Sequence, residues 1–294
     1  HAVLSYASPA GMTEAERAAA AGVGAPAPAD ALAIGGAADG DSGPLRRALA
    51  ALGGALLTGA APSAAASPEG TEETLTSARS EALARLVERL AAPAVSATIV
   101  AGDVARVTVA PASSPPLPLT FTSAAAALAD GPWTFLVARA LEDARGGWLA
   151  LRGLDARART ELLTGAQAGL LGETPDGERA RAAAKKIADA GETFAAGDVR
   201  TRLIADLADA LSKPLDWDAA ERAAAHTANR VGLLACGSVA DALAALARED
   251  ALLAKAGADA PLDARRSFLR TNVVRELVRF AFSPAFALGA AGDR

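Results

Sequence analysis

Apolar positions recur with the helical period over most of the chain from Ser123 onward. This pattern predicts eight helices, over 123–129, 132–145, 155–172, 177–191, 198–212, 216–235, 238–255 and 262–282. Glycine and proline residues mark the breaks between them. The candidate N-cap residues are Thr122 or Ser123 for the first helix and Asp216 or Asp218 for the sixth. The second half of the chain is therefore predicted to be helical almost throughout.

The N-terminal part is less regular. Residues 21–40 and 58–70 are rich in Gly, Ala and Pro and have no steady period, so they are predicted to be linkers. Between them, Pro44–Leu57 predicts a short helix with proline in its first turn. Thr71–Leu90 predicts an amphipathic helix whose apolar side carries Leu75, Leu83, Leu86, Val87 and Leu90. We therefore divide the chain into a weakly structured N-terminal segment with a short helix, residues 1–70, and a helix-rich domain, residues 71–294.

Between Leu90 and Ser123, the apolar residues recur with a period of two, as in a β-strand. Val95–Val100 and Val104–Ala110 alternate and are rich in β-branched residues, with turn residues at 102–103, which predicts a hairpin or two adjacent strands. Leu117–Phe121 predicts a third short strand, which its prolines would confine to a sheet edge. The predicted fold class is mainly α with a small β-sheet.

Composition narrows the possible functions. The 294 residues are 51% hydrophobic but only 4% aromatic, so the core is built from thin side chains that suit closely packed helices. A net charge of −5 with no basic stripe argues against nucleic-acid binding. The longest apolar runs are interrupted well before the ~20 residues that span a bilayer, so no membrane span is predicted. The excess of arginine over lysine and the abundance of alanine are typical of a GC-rich bacterial genome.

Residues that could carry chemistry are sparse. The chain has two histidines, and His226 stands alone within a predicted helix, where a structural or solvent-facing role is expected. Cys236 is expected to be a buried, inert thiol. Carboxylate pairs such as Glu142 and Asp143 are expected on solvated helix faces, with Glu142 paired to Arg145. No phosphate-binding loop or nucleophile elbow is present, so no catalytic residue and no cofactor is predicted.

The order of elements over residues 75–250 resembles that of M48-type zinc peptidases. In that family, a helix and short strands lead to a helix carrying HExxH, and a later helix supplies the third zinc ligand in an ExxAD pattern. The resemblance places Arg139 and Asp143 at the two histidine positions of HExxH and Ala140 at that of the general-base glutamate. In the later helix, Ala225 takes the ligand position and Asn229 that of the aspartate.

This resemblance implies a zincin-like helical domain that lacks the metal site. Alanine offers no ligand, and Arg139 would place a fixed positive charge where the cation belongs. Water activation would then have neither metal nor base, so a pseudoenzyme is expected rather than an enzyme.

The leading functional hypothesis is a non-catalytic interaction or scaffold module of a larger bacterial protein, with one or more proteins as partners. Two alternatives remain open. One is a hydrolase with a non-standard carboxylate site at Glu142 and Asp143, and the other is a subunit of a homo-oligomeric assembly. The chain opens at His1 and its only methionine is Met12, which predicts a missing N-terminal segment. The sequence does not determine the compartment, although the cytoplasm is slightly favoured.

Overall fold

The structure, a computed structural model, describes residues 43–57, 74–112, 115–194, 197–284 and 286. Its α-helices are α1 (Pro44–Leu57), α2 (Ser77–Arg89), α3 (Ser123–Ala126), α4 (Asp130–Arg145), α5 (Ala156–Leu171), α6 (Glu178–Asp189), α7 (Gly197–Leu211), α8 (Trp217–Cys236), α9 (Val239–Glu249), α10 (Ala251–Ala256), α11 (Leu262–Leu269) and α12 (Asn272–Ala281). Short 3-10 turns lie at Trp148–Leu151, Gly191–Phe194 and Gly257–Asp259. The strands are β1 (Val95–Val100), β2 (Val107–Val109) and β3 (Leu117–Thr122). The prediction of a mainly α fold with a small sheet is confirmed.

The three strands form one mixed sheet in the order β1–β3–β2. β1 runs parallel to β3, with Val95 opposite Leu117, whereas β2 runs antiparallel to β3. The predicted pairing of β1 with β2 is therefore wrong. The loop between them is held against α9 instead, because the Ala105 N–H donates to the Arg248 carbonyl at 2.9 Å. β3 comes between the two strands that are sequence neighbours.

β3 is the central strand although Pro118 lies within it, which contradicts the predicted edge position. Proline lacks the N–H that a ladder needs, but this loss falls at the end of the pairing with β2, which stops at Val109. The Pro118 carbonyl still accepts a hydrogen bond from the Ala110 N–H at 2.9 Å. Burial favours the central position, because Leu119 and Phe121 are completely buried.

The helical predictions hold for the first six helices of the second half, which begin and end close to the expected residues. Two of the predicted caps are found: the side-chain oxygens of Thr122 and Asp216 accept backbone N–H groups at the start of α3 and α8. The last two predicted helices are each divided in two. Asp250 and Thr271 cap new helices at those points, because their side chains accept N–H groups of α10 and α12.

Buried apolar side chains form two clusters. The larger one surrounds the sheet, α4, α9, α12 and the C-terminal half of α8. The smaller one joins α1 to α5, α6 and α7, and its fully buried members include Leu49, Leu52, Leu163 and Leu207. The helix predicted at Pro44–Leu57 is therefore found, and it packs within the helical body. The domain boundary predicted at residue 70 falls in 58–73, outside the described residues.

α4 lies at the centre of the larger cluster, and α8 packs along it. Phe135, Leu136, Val137 and Leu141 of α4 are completely buried. The two helices approach so closely that a Cβ at Gly232 would lie 2.8 Å from the Phe135 carbonyl oxygen. A side chain of any size at residue 232 would push the helices apart.

The backbones of α5 and α6 approach each other as closely as those of α4 and α8 do. Gly165 and Gly169 of α5 face Ala180 and Ala184 of α6, and a Cβ on either glycine would meet the backbone of α6. Alanine- and glycine-rich helices thus gain burial by bringing their backbones together, since they carry few large side chains. Among the helices that the structure describes, none is both long and apolar enough to cross a membrane.

The close contact between α4 and α8 can be tested with Gly232→Ala. We expect a destabilisation of about 1–3 kcal/mol, because the new methyl group meets backbone that cannot move freely. Urea unfolding followed by circular dichroism measures the change. The matched control is Gly54→Ala on the exposed side of α1, where a Cβ meets no atom within 4 Å. That control should be neutral or stabilising, and equal effects from the two variants would refute the packing argument.

Candidate functional site

A cavity lies where the C-terminal half of α4, the turn that follows it, α5 and α8 meet. Gly146 caps the end of α4, and Gly147, in the left-handed conformation with φ 75°, starts the 3-10 turn Trp148–Leu151. The turn leads the chain into α5, whose Arg159 contacts the N-terminal half of α8. The cavity encloses about 220 Å³ and is lined by Asp143, Trp148, Leu151, Arg152, Gly153, Arg159, Glu221, Ala224 and Ala225. We call it the α4–α8 cleft.

Two opposite-charge pairs line the α4–α8 cleft. Arg152 donates to the Asp143 carboxylate at 3.1 Å and to the Val109 carbonyl of β2 at 2.8 Å, so it joins the cleft to the sheet. Arg159 forms an ion pair with Glu221 across α5 and α8, and its guanidinium lies 5.6 Å from the centre of the Trp217 ring. With two carboxylates and two guanidinium groups, the formal charges of the lining cancel.

The Asp143 carboxyl occupies an environment that disfavours its charge. Burial raises the pKa of Asp143 above its ordinary value, and the nearby Arg152 and Arg139 offset only part of this effect. The neighbouring Glu142 raises the pKa further by charge repulsion. Asp143 therefore takes up a proton more readily than an exposed aspartate does.

The five positions singled out by the peptidase resemblance separate in the structure. Asp143 and Ala225 line the same cleft, as side-by-side helices would place them. Arg139 pairs instead with Glu249 of α9, at 2.6 Å for the bond from Nη1 to Oε2, and lies over the Phe135 ring. Ala140 is packed into the larger apolar cluster.

Asn229 completes this set but does not line the α4–α8 cleft. It is 5% exposed, and its side-chain oxygen is buried with no hydrogen-bond partner among the described residues. Of the five positions, only Asp143 and Asn229 carry an oxygen that could bind a cation, so the set does not fit a three-ligand zinc centre. Within the described ranges, no three His, Cys, Asp or Glu residues come together as a metal site.

Glu142 departs most clearly from the expectation of a solvated helix face. Its predicted pairing with Arg145 is found, with donor–acceptor distances of 2.7 and 2.8 Å. The residue is nevertheless only 3% exposed, and Arg46 of α1 also donates to its carboxylate at 3.1 Å. Arg46 lies 96 residues away in sequence, so no local pattern could indicate this contact.

The remaining reactive side chains lie away from the cleft lining. Desolvation raises the pKa of the Cys236 thiol to about 12, so it stays protonated at neutral pH, in line with the inert thiol that was predicted. Burial lowers the pKa of His226, whose Nε2 lies 3.5 Å from the Asn272 amide nitrogen. Neither residue faces the carboxylates of the α4–α8 cleft.

Sequence reasoning missed most of the cleft. Arg152, Arg159 and Glu221 come from three separate elements, and Glu221 pairs with Arg159 rather than with its sequence neighbour Arg222. The only local signal was the pair of glycines at 146–147, which marks a sharp turn after α4. Comparisons of the chain with protein-family models, with curated proteins and with solved structures find no match. The resemblance to M48-type peptidases therefore stays a prediction.

The buried Glu142 pairing predicts a strong effect of Glu142→Gln. Two guanidinium groups would lose the charge that balances them, and we expect a destabilisation of about 3 kcal/mol in urea unfolding. The control is Glu161→Gln, because Glu161 also pairs with two arginines but is partly exposed. That change should cost less than about 1 kcal/mol. Similar losses for both variants would contradict the special role of burial at Glu142.

The environment of Asp143 predicts a pH-dependent effect of Asp143→Asn. Because the folded-state pKa is raised, the wild-type contribution to stability is complete below the unfolded pKa and is lost as pH rises through the folded pKa. Asparagine stays neutral, so the variant should gain stability relative to the wild type as the pH rises above about 4, the ordinary pKa of an aspartate. Urea unfolding at a series of pH values measures the difference. The control is Asp189→Asn, at an exposed pair with Lys185.

Proposed function

We propose that the chain is a non-catalytic protein-interaction module whose α4–α8 cleft binds a partner polypeptide. The observation that carries this proposal is the pairing of charges in the cleft: Asp143 with Arg152, and Arg159 with Glu221. Among the residues that the structure describes, the cleft lining contains no serine, cysteine or histidine that could act as a nucleophile or base. Paired charges in the cleft favour the binding of a partner polypeptide over catalysis.

The size and lining of the cleft favour a side chain of a partner protein over a free small molecule. Its volume of about 220 Å³ is below the ~300–1,000 Å³ typical of small-molecule pockets. Trp148 offers a partly exposed aromatic surface, and Ala224 and Ala225 leave room above α8. An inserted side chain would meet apolar walls and a rim of oriented charges, an arrangement typical of protein interfaces.

A hydrolase with a carboxylate site is the second candidate, and the raised pKa of Asp143 favours it. Catalytic carboxylates commonly have raised pKa values and face a cavity, as Asp143 does. Its proposed companion Glu142 is absent from the cleft lining and is held between Arg46 and Arg145. The other carboxyl of the lining, Glu221, is paired with Arg159, as Asp143 is with Arg152. Two carboxylates that are each held by an arginine are a weak basis for hydrolysis.

Filling the cleft tests the binding proposal. Peptides selected by phage display against the purified protein should bind the wild type and lose at least about tenfold in affinity to Ala225→Trp, as measured by fluorescence polarisation. Residue 225 is exposed at the cleft, so the indole can occupy it without disturbing the core. The control is Ala182→Trp on the exposed side of α6, which should bind the same peptides as the wild type does.

Three results would overturn the proposal. Equal affinity of the selected peptides for wild type and Ala225→Trp would place binding elsewhere. Peptide hydrolysis that Asp143→Asn abolishes while folding is unchanged would favour the hydrolase. Stoichiometric zinc in the purified protein would also contradict the non-catalytic assignment.

A further inference from the structure

The outer edge of β1 presents a row of backbone groups without partners. In the parallel pairing with β3, the Leu117 N–H donates to the Ala94 carbonyl, which directs Ala94, Ser96, Thr98 and Val100 toward β3. The N–H and C=O groups of Val95, Ala97 and Ile99 consequently point away from the sheet. Within the described part of the chain, none of these six groups has a hydrogen bond.

The opposite edge of the sheet is partly occupied by other parts of the chain. At β2, Arg152 donates to the outward Val109 carbonyl at 2.8 Å, and the Ala105 N–H next to the strand donates to the Arg248 carbonyl. β2 is also only three residues long, whereas β1 has six. The sheet therefore has one short, partly occupied edge at β2 and one longer, open edge at β1.

β1 also lacks the features that usually protect an open edge. Residues 93–102 contain no charged side chain, and proline occurs only at residue 93, before the strand begins. Val95, Ala97 and Ile99 pack against the larger apolar cluster, while Ser96 lies exposed on the other face. An uncharged, six-residue open edge is a template for another strand.

We propose that β1 pairs antiparallel with β1 of a second copy of this chain, about a twofold axis at Ala97. In this register Ala97 faces Ala97 of the second copy and Val95 faces Ile99, so all the outward groups of both strands are used in six hydrogen bonds. On the core side apolar residues meet apolar residues, and on the other side Ser96 meets Thr98. The two sheets join into one of six strands.

The absence of charge favours a second copy over a different protein. A twofold axis at Ala97 places residue 96 opposite residue 98 of the second copy, so like charges at these two positions would repel one another. A different partner strand could carry charges that compensate those of β1. The uncharged stretch 93–102 avoids such repulsion and therefore favours self-pairing.

Ala97→Pro tests the central hydrogen bonds. The N–H of Ala97 points away from β3, so proline leaves the sheet of each monomer intact but removes both N–H donors at the twofold axis. We expect sedimentation equilibrium to show a reversible wild-type dimer, and Ala97→Pro to weaken it by at least about tenfold. The control is Ala97→Ser, which keeps the N–H and should dimerise like the wild type.

A charge exchange tests the register. In the variants S96K/T98K and S96E/T98E, residues 96 and 98 of the two copies bring like charges together, so each variant alone should be monomeric. An equimolar mixture should form a heterodimer, because lysines then face glutamates across the axis. Sedimentation equilibrium of each variant alone and of the mixture shows whether a dimer forms only on mixing, and urea unfolding confirms that each variant is folded.

Three outcomes would overturn the proposal. The first is a wild-type chain that stays monomeric at every soluble concentration. The second is a dimer that Ala97→Pro leaves unchanged, which would place the interface elsewhere. The third is a failure of the mixed charge variants to associate, which would exclude this register. None of them bears on peptide binding at the α4–α8 cleft, so the two proposals can fail separately.

Discussion

The carboxylate of Glu142 is buried in α4, between the two apolar clusters, and depends on guanidinium groups for its burial. Arg145 supplies one from the same helix, and Arg46 supplies the other from α1. A carboxylate taken out of water without such partners costs several kcal/mol, so the positions of α1 and α4 are coupled. Because α1 belongs to the smaller cluster and α4 to the larger one, this contact ties the two clusters together.

Around that contact, pairs of helices pack with their backbones very close together. Its apolar residues are mostly alanine, leucine and valine, which bury little area each unless helices come very near one another. Gly232 lets α8 reach the backbone of α4, and Gly165 does the same between α5 and α6. The α4–α8 cleft lies beside the first of these contacts, where the turn after Gly147 takes the chain away from α4. In the cleft, Asp143 and Arg152 are positioned by their ion pair and by the bond from Arg152 to the Val109 carbonyl.

Some features of the fold followed from local pattern, and others contradicted it. The helical period, the caps at Thr122 and Asp216 and the short helix α1 were predictable, because each depends on residues close in sequence. The order of the strands was not. The prolines near β3 indicated an edge strand, yet the burial of Leu119 and Phe121 places β3 in the centre of the sheet. Because β2 ends at Val109, the N–H that Pro118 lacks lies beyond the end of the strand pairing.

By itself, the sequence determined the fold class and the positions of most helices, since periodicity and capping are local properties of the chain. The peptidase resemblance singled out Asp143 and Ala225 on two separate helices, and the structure brings both to one cleft. Only the tertiary structure decided that Glu142 is buried, that Arg152 and Arg159 line the cleft and that the β1 edge is open. Those outcomes depend on contacts between residues that are far apart in sequence. The desolvation of a buried charge and the order of the strands are properties of the whole fold, and local composition does not reveal them.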